Sequence, residues 1–219
     1  MKPNRQSKVG LPLNAALKHD LVFFNNPILI QGLALTPAIA ATTTLKNALI
    51  LSVALLVLVA PTRVLAETLL RFAKLPRMRA VVYALIAAVI YIPAYRLVQI
   101  AFGYDAAGPG IYLPMLAIDG LVISRFEIPA RETPLLALKN GLLTTFGASL
   151  VLILLGAARE LLAVGTLCGV QILAGAAPLP VAGTIAGGFI AAALFAALFQ
   201  WFAGIYKREH FIMEAEAHD

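Results

Sequence analysis

Asp119 is the residue of this chain best placed to do chemistry. It lies in an apolar run, Gly110–Glu127 (GIYLPMLAIDGLVISRFE), directly before Gly120 and five residues after Pro114. An acid inside such a run is costly, and its usual use is an ion or proton path. A second apolar run, Asn26–Thr44 (NPILIQGLALTPAIAATTT), is interrupted in the same manner by Gly32 and Pro37, and carries Thr36 near its middle. A carboxylate and a hydroxyl supply oxygen ligands, which suit hard cations. From the residues alone a second reading of Asp119 is equally open: a protonated or hydrogen-bonded acid with a structural role.

The other charged residues inside apolar stretches read as anchors. Arg63 and Glu67 are four apart, on one helical face, and can pair while snorkelling to an interface. Arg159 and Glu160 read as helix-end anchors. Cys168 is the single cysteine, so it excludes an intrachain disulfide and a multi-cysteine metal cage, and reads as an inert thiol. No phosphate-cradling loop, zinc spacing or nucleophile elbow is present, and no catalytic residue is nominated. His19, His210 and His218 lie outside the apolar segments.

The elements that must position these residues are membrane-spanning. The 219 residues are 61% hydrophobic and 13% charged, whereas soluble domains are about half apolar and a quarter charged. Six segments follow: Pro27–Thr44, Asn47–Leu70, Ala80–Phe102, Gly110–Glu127, Asn140–Ala163 and Val181–Tyr206. The first and fourth are short and broken. Asn25 and Asn26 before Pro27 make a helix start. Pro37, lacking an N–H, is expected to kink or break the first segment. Tyr91 and Tyr95 are expected in an interfacial belt. Gly183 and Gly187 have the GxxxG spacing that permits close helix contact.

Residues 1–26 are expected as a cytoplasmic N-terminal segment, 27–206 as the membrane domain and 207–219 as a cytoplasmic tail. With six segments, nearly all Lys and Arg fall on one side, including Lys2, Arg5, Lys8, Lys18, Arg71, Lys74, Arg77, Arg79, Arg125, Arg131, Lys139, Lys207 and Arg208. That bias places both termini in the cytoplasm. It also explains the net charge of +6 without nucleic acid as a partner. Three segments per half, entering from opposite sides, make an all-α 3+3 inverted repeat whose half-helices, in segments one and four, meet near the midplane.

The residues resemble the membrane subunits of the Rnf and Nqr redox-driven ion pumps. NNPILIQGLALTPAIAATTTLKNAL is similar to the opening of the RnfE/NqrD type. YLPMLAIDGLVISRFEIPA and GAARELLAVGTLCGVQIL are similar to two later family runs, in the right order. The resemblance covers about Asn25 to Tyr206. It implies a multi-pass subunit of a bacterial inner-membrane complex, beside an RnfA/NqrE-type sister, with flavins in partner subunits. It implies that Pro27, Pro37, Arg125, Glu127, Arg159 and Glu160 are family-matched structural residues. It also implies a two-iron cluster shared with the sister and held by one cysteine from each half-helix. Those two positions are Thr36 and Gly120 here, and neither supplies the sulfur that such ligation needs. The expectation is a subunit of an ion-translocating electron-transport complex that binds no cofactor or metal by itself. The alternatives are a divergent cation or solute transporter coupled through Asp119, and a purely structural membrane subunit.

Overall fold

The computed structural model describes residues 26, 28–29, 32, 35–73, 78–123, 133–173 and 178–216. Among these, the helices are α1 (Leu35–Ala40), α2 (Leu45–Ala73), α3 (Arg79–Phe102), α4 (Tyr112–Met115), α5 (Gly120–Ile123), α6 (Pro134–Val164) and α7 (Ile185–Glu216). Single 3-10 turns cover Gly103–Ala107, Leu116–Ile118 and Pro180–Gly183, and a small antiparallel hairpin pairs β1 (Thr166–Leu167) with β2 (Val170–Gln171). Among the described residues, four helical stretches are long and apolar enough to cross a bilayer: Leu45–Phe72, Arg79–Ala107, Pro134–Val164 and Ile185–Ile205. At 1.5 Å per residue α2 is about 43 Å long, more than a hydrocarbon core of about 30 Å.

The centre of the molecule is α2 packed antiparallel on α6. Leu45 meets Glu160, Ala48 faces Gly156, Ser52 faces Ser149 and Ala60 faces Gly141, so residue numbers rise along one helix as they fall along the other. The facing residues are small, which lets the two backbones approach closely. Around this seam Leu51, Leu55, Leu58 and Val59 of α2 join Ala87 and Val98 of α3 and Val151 and Leu152 of α6 in one apolar core. Within their apolar stretches, 61% of α2 and 50% of α6 are buried, against 22% of α3 and 17% of α7. The outer faces of α3 and α7 are therefore the apolar surface left for lipid or a partner.

The pair also gives the molecule two ends. At one, which carries the hairpin, α2 and α7 begin and α3 and α6 finish. At the other, Gly141 near the start of α6 packs on Arg63, and Glu67 of α2 meets Arg79 at the start of α3. Gly108, shortly after α3, lies against Asn47 at the hairpin end. Among the described residues, the stretch from Gly108 to Ile123 leaves the hairpin end in short turns and helices, and Thr133 at the opposite end opens α6.

Several boundaries and packings differ from expectation. Helix α6 begins at Pro134 rather than Asn140, because Thr133 caps it by accepting from Leu136 N at 3.3 Å and Pro134 occupies the first turn. Pro37 does not break α1. It falls in the first turn, where backbone N–H groups have no intrahelical partner. The left-handed turn lies earlier, at Gly32 with φ +66°. Tyr91 and Tyr95 do not form a lipid-facing belt; they stack at 5.8 Å and pack inward with Leu113 and Leu116. Gly183 and Gly187 do not share one long helix: Gly183, in the 3-10 turn, lies against Ala163 of α6, where a Cβ would meet Ala163 Cβ at 3.2 Å, and Gly187 opens α7. A Cβ at Gly187 would lie 2.0 Å from Val181 O, so this glycine lets the preceding turn fold back on the start of α7. Helix α7 continues past Tyr206 to Glu216. Pro27, Arg125 and Glu127 lie outside the described residues.

The α2–α6 seam predicts a sharp size limit. A Cβ on Gly156 would meet Ala48 Cβ at 2.7 Å and Thr44 O at 3.2 Å. Gly156→Val is expected to destabilise the chain by about 1–3 kcal/mol, seen as a lower thermal unfolding midpoint in detergent. Gly204→Ala, with nothing within 4 Å of the new Cβ, is the control and should not lower it.

Candidate functional site at two interrupted segments

A helix that stops inside a membrane leaves polar backbone groups that water cannot reach, so protein groups must satisfy them. The first interruption uses Asn26, which is buried. Its Oδ1 accepts from Ile28 N at 3.0 Å and Leu29 N at 3.3 Å, while Nδ2 donates to Gly147 O at 2.9 Å. Gly147 is near the middle of α6. The far end of the segment, at Ile39 and Thr42, is held by Arg159, twelve residues further along α6 and therefore roughly 18 Å away. Asn26 and Thr42 are thus separated by only part of the length of α6.

The second interruption uses Asp119. After the turn Leu116–Ile118 the backbone extends at Asp119 (φ −71°, ψ 148°) and then coils again as α5. Asp119 Oδ1 accepts from Leu121 N at 2.9 Å and its carbonyl accepts from Val122 N at 3.0 Å. This is helix capping by a half-buried carboxylate. Leu116, three residues earlier, packs with Ala54 and Leu58, and Leu58 is roughly 20 Å along α2 from Leu45. The break is thus near half depth.

The two segments touch through α1 and α4, and α1 also packs on α7. Thr36 lies on the exposed side of α1. Asp119 belongs to the break after α4, and its described bonds run to the backbone of its own segment. The structure brings the segments together. It gives Thr36 a surface position and Asp119 a capping one.

Arg159 and Glu160 do more than mark a helix end. Both are buried. Glu160 Oε2 accepts from Leu45 N at 2.7 Å, capping α2 from a distance, and its Oε1 accepts from Thr166 Oγ1 and Gly169 N, both at 3.1 Å. One carboxylate thereby fixes the start of α2 to the hairpin after α6. Arg159 does the same for carbonyl groups. It donates to Ile39 O and Thr42 O, within and just beyond the end of α1, and to Ala182 O and Thr184 O before α7.

At the opposite end a second polar cluster is buried. Arg63 and Glu67, expected to snorkel, are 2% and 3% exposed. Glu67 Oε1 accepts from Tyr83 OH at 2.8 Å and pairs with Arg79, joining α2 to α3, while Arg63 Nη1 donates to Thr144 Oγ1 at 3.2 Å on α6. The four-residue spacing of Arg63 and Glu67 signalled a shared face. It could not signal that helices α3 and α6 would cover that face.

A family described as "Rnf-Nqr subunit, membrane protein" matches residues 15–205. The chain belongs to the Rnf-Nqr family. It is similar to the E-type subunit of the ion-translocating oxidoreductase complex of Shewanella oneidensis, 37% identical over 145 residues, which are 65% of this chain and 62% of the relative. The corresponding protein of Shewanella loihica matches with the same identity and coverage. That of Shewanella frigidimarina is 36% identical over 147 residues, 66% of this chain and 63% of the relative. The chain spans less than two thirds of the length of these curated relatives.

Neither interrupted run of this Rnf-Nqr chain contains a cysteine. Thr36 offers a hydroxyl and Gly120 no side chain. Cys168 is exposed in the β1–β2 turn at the hairpin end, while the break at Asp119 lies at half depth. Among the described residues, no three His, Cys, Asp or Glu side chains converge as a metal site.

Substitutions at two positions separate these roles. Asp119→Asn keeps a capping oxygen and is expected to hold the unfolding midpoint, whereas Asp119→Ala should lose about 1 kcal/mol. Glu67→Ala removes the buried acceptor that Arg79 and Tyr83 share, and a larger loss of about 3–5 kcal/mol is expected in the same thermal assay.

Proposed function

We propose that this chain is an integral membrane subunit of an ion-translocating oxidoreductase complex of the Rnf/Nqr kind, of RnfE/NqrD type, seated beside an RnfA/NqrE-type sister subunit. The family match across residues 15–205 carries the proposal, joined by relatives named as E-type subunits of such complexes. The proposed architecture is six crossings in a 3+3 inverted repeat, with half-helices first and fourth. The antiparallel α2–α6 pair supports it. So does a reciprocal exchange: α3 of the first half packs on the turns of segment four, and α7 of the second half packs on α1. A two-fold axis in the membrane plane generates that pattern.

Orientation follows from charge. Arg71, Arg79 and Lys139 gather at the end away from the hairpin, while Lys46 at the hairpin end is paired with Asp105 at 2.6 Å. The proposed placement is both termini in the cytoplasm of a bacterium, with the hairpin outside the inner membrane. Asp119 and Thr36 are proposed as oxygen-bearing residues beside an ion path. No thiolate is proposed from this chain for the two-iron cluster, and flavins belong to partner subunits. A stand-alone cation transporter is less well supported, because the Asp119 carboxylate is engaged in starting α5.

Affinity purification of the tagged chain from native membranes is expected to bring down flavin- and iron–sulfur-bearing subunits. Recovery of the chain as a homodimer that conducts ions after reconstitution would overturn the assignment. Within the complex, Asp119→Asn is expected to slow ion transport in proteoliposomes at unchanged assembly. Unaltered transport would take Asp119 out of the ion path and leave the family-based assignment standing.

A further inference from the structure

Five oxygen atoms from two separate chain segments converge on the guanidinium of Arg159, a side chain that is 0% exposed. Nε donates to Ala182 O at 3.0 Å and Nη2 to Thr184 O at 3.0 Å. Nη1 faces Ile39 O, Thr42 O at 3.2 Å and Thr42 Oγ1 at 3.4 Å. Four of the five are main-chain carbonyls, and they come from where helical turns end: the close of α1 and the 3-10 turn Pro180–Gly183. Carbonyls at the close of a helical turn lack an intrahelical partner, while Thr184 O also accepts the first bond of α7, from Gly188 N at 2.9 Å. Carbonyls from interrupted helices, with a threonine hydroxyl, are the ligand chemistry by which membrane proteins hold cations.

The fourth wall is bare by necessity. A Cβ on Gly188 would lie 2.9 Å from Arg159 Cζ and 2.9 Å from Nη2. A side chain at position 188 would therefore collide with the planar guanidinium, whose described bonds all run to acceptor oxygens. With four acceptor distances of 3.0–3.4 Å, the site matches a hydrogen-bonding polyatomic cation. A hard metal ion would need oxygens much closer, about 2.3–2.6 Å for calcium.

We propose that this is a monovalent-cation site with a tethered occupant. The guanidinium of Arg159 is the resident ion that draws segment one and the turn before α7 onto α6. With the side chain cut back, the cage takes up free guanidinium in its place. Arg159 is a positioning residue in this account. The proposal stands apart from the family-based assignment, because its readout is binding to the full chain and not transport.

The test uses the full-length chain in detergent, with Arg159→Ala, and titrates guanidinium, urea and sodium at concentrations below those that unfold the wild type. Arg159→Ala is expected to lower the unfolding midpoint. Guanidinium should then raise that midpoint progressively, as a ligand specific to the folded state does, while leaving the wild-type midpoint level or lower. Urea, planar but uncharged, and sodium, charged but without donors, should not raise it. A midpoint that guanidinium fails to raise, or that urea raises equally, overturns the proposal. Should Arg159→Ala not fold, Arg159→Lys carries the question. Gly188→Ala is expected to lower the midpoint strongly beside Arg159 and much less beside Lys, whose slender ammonium leaves the space beside position 188 open. An equal loss in both backgrounds shows that Gly188 makes no room for a guanidinium, and overturns the proposal as well.

Discussion

A polypeptide that interrupts its helices within a membrane must hand the exposed carbonyl and N–H groups to other parts of itself. In this chain that obligation falls on a few polar side chains at helix ends, and most of the fold can be traced to it. Asn26 and Asp119 serve the N–H groups that follow the two breaks. Arg159 serves the carbonyls at the end of segment one, and Glu160 the first N–H of α2. Arg159 and Glu160 are neighbours in sequence, of opposite charge, each buried and each bonded outward to a different element. Burying two charges is tolerable because both are surrounded by hydrogen-bond partners of the right sign.

The α2–α6 seam supplies the frame on which these side chains act. Small residues at Ala48, Ser52, Ala60, Gly141, Ser149 and Gly156 bring the helices close enough that Asn26 can reach a mid-helix carbonyl and Arg159 can reach both neighbours. Glycine does the same service for each buried guanidinium. Gly188 faces Arg159, and Gly141 lies 3.3 Å from Arg63 Cδ by its would-be Cβ. The polar clusters at the two ends of the bundle therefore share a device: a long cation laid over a residue without a side chain.

Much of this was legible in the residues. Gly32, Pro114 and the Asp119–Gly120 step marked the two segments as broken, and the apolar runs marked the four long helices. The resemblance carried by the NNP, IDG and RE runs pointed to the family that matches residues 15–205. Thr133–Pro134 is a readable capping signal that puts the start of segment five earlier than its apolar run suggests. What could not be read was reach. Nothing local says that Arg159 bonds residues near 40 and 182, or that Glu67 is taken by Arg79 and Tyr83. Pro37 misled because a proline inside a helix and a proline in its first turn look alike until the start of the helix is known. Tyr91 and Tyr95 misled because an interrupted neighbouring segment turned an expected lipid face into an internal one.

The bonds that hold segment one have a temporal side. Asn26 is tied to a residue 121 positions later, and Ile39 to one 120 positions later. At synthesis rates of about 5–20 residues per second, those partners emerge on the order of ten seconds after segment one has left the ribosome. During that interval a short, interrupted apolar stretch has neither a helix length that suits lipid nor the side chains that later complete it. The bonds from Asn26 and Ile39 to α6 can form only once α6 has been made, so this early-made segment is locked in place late.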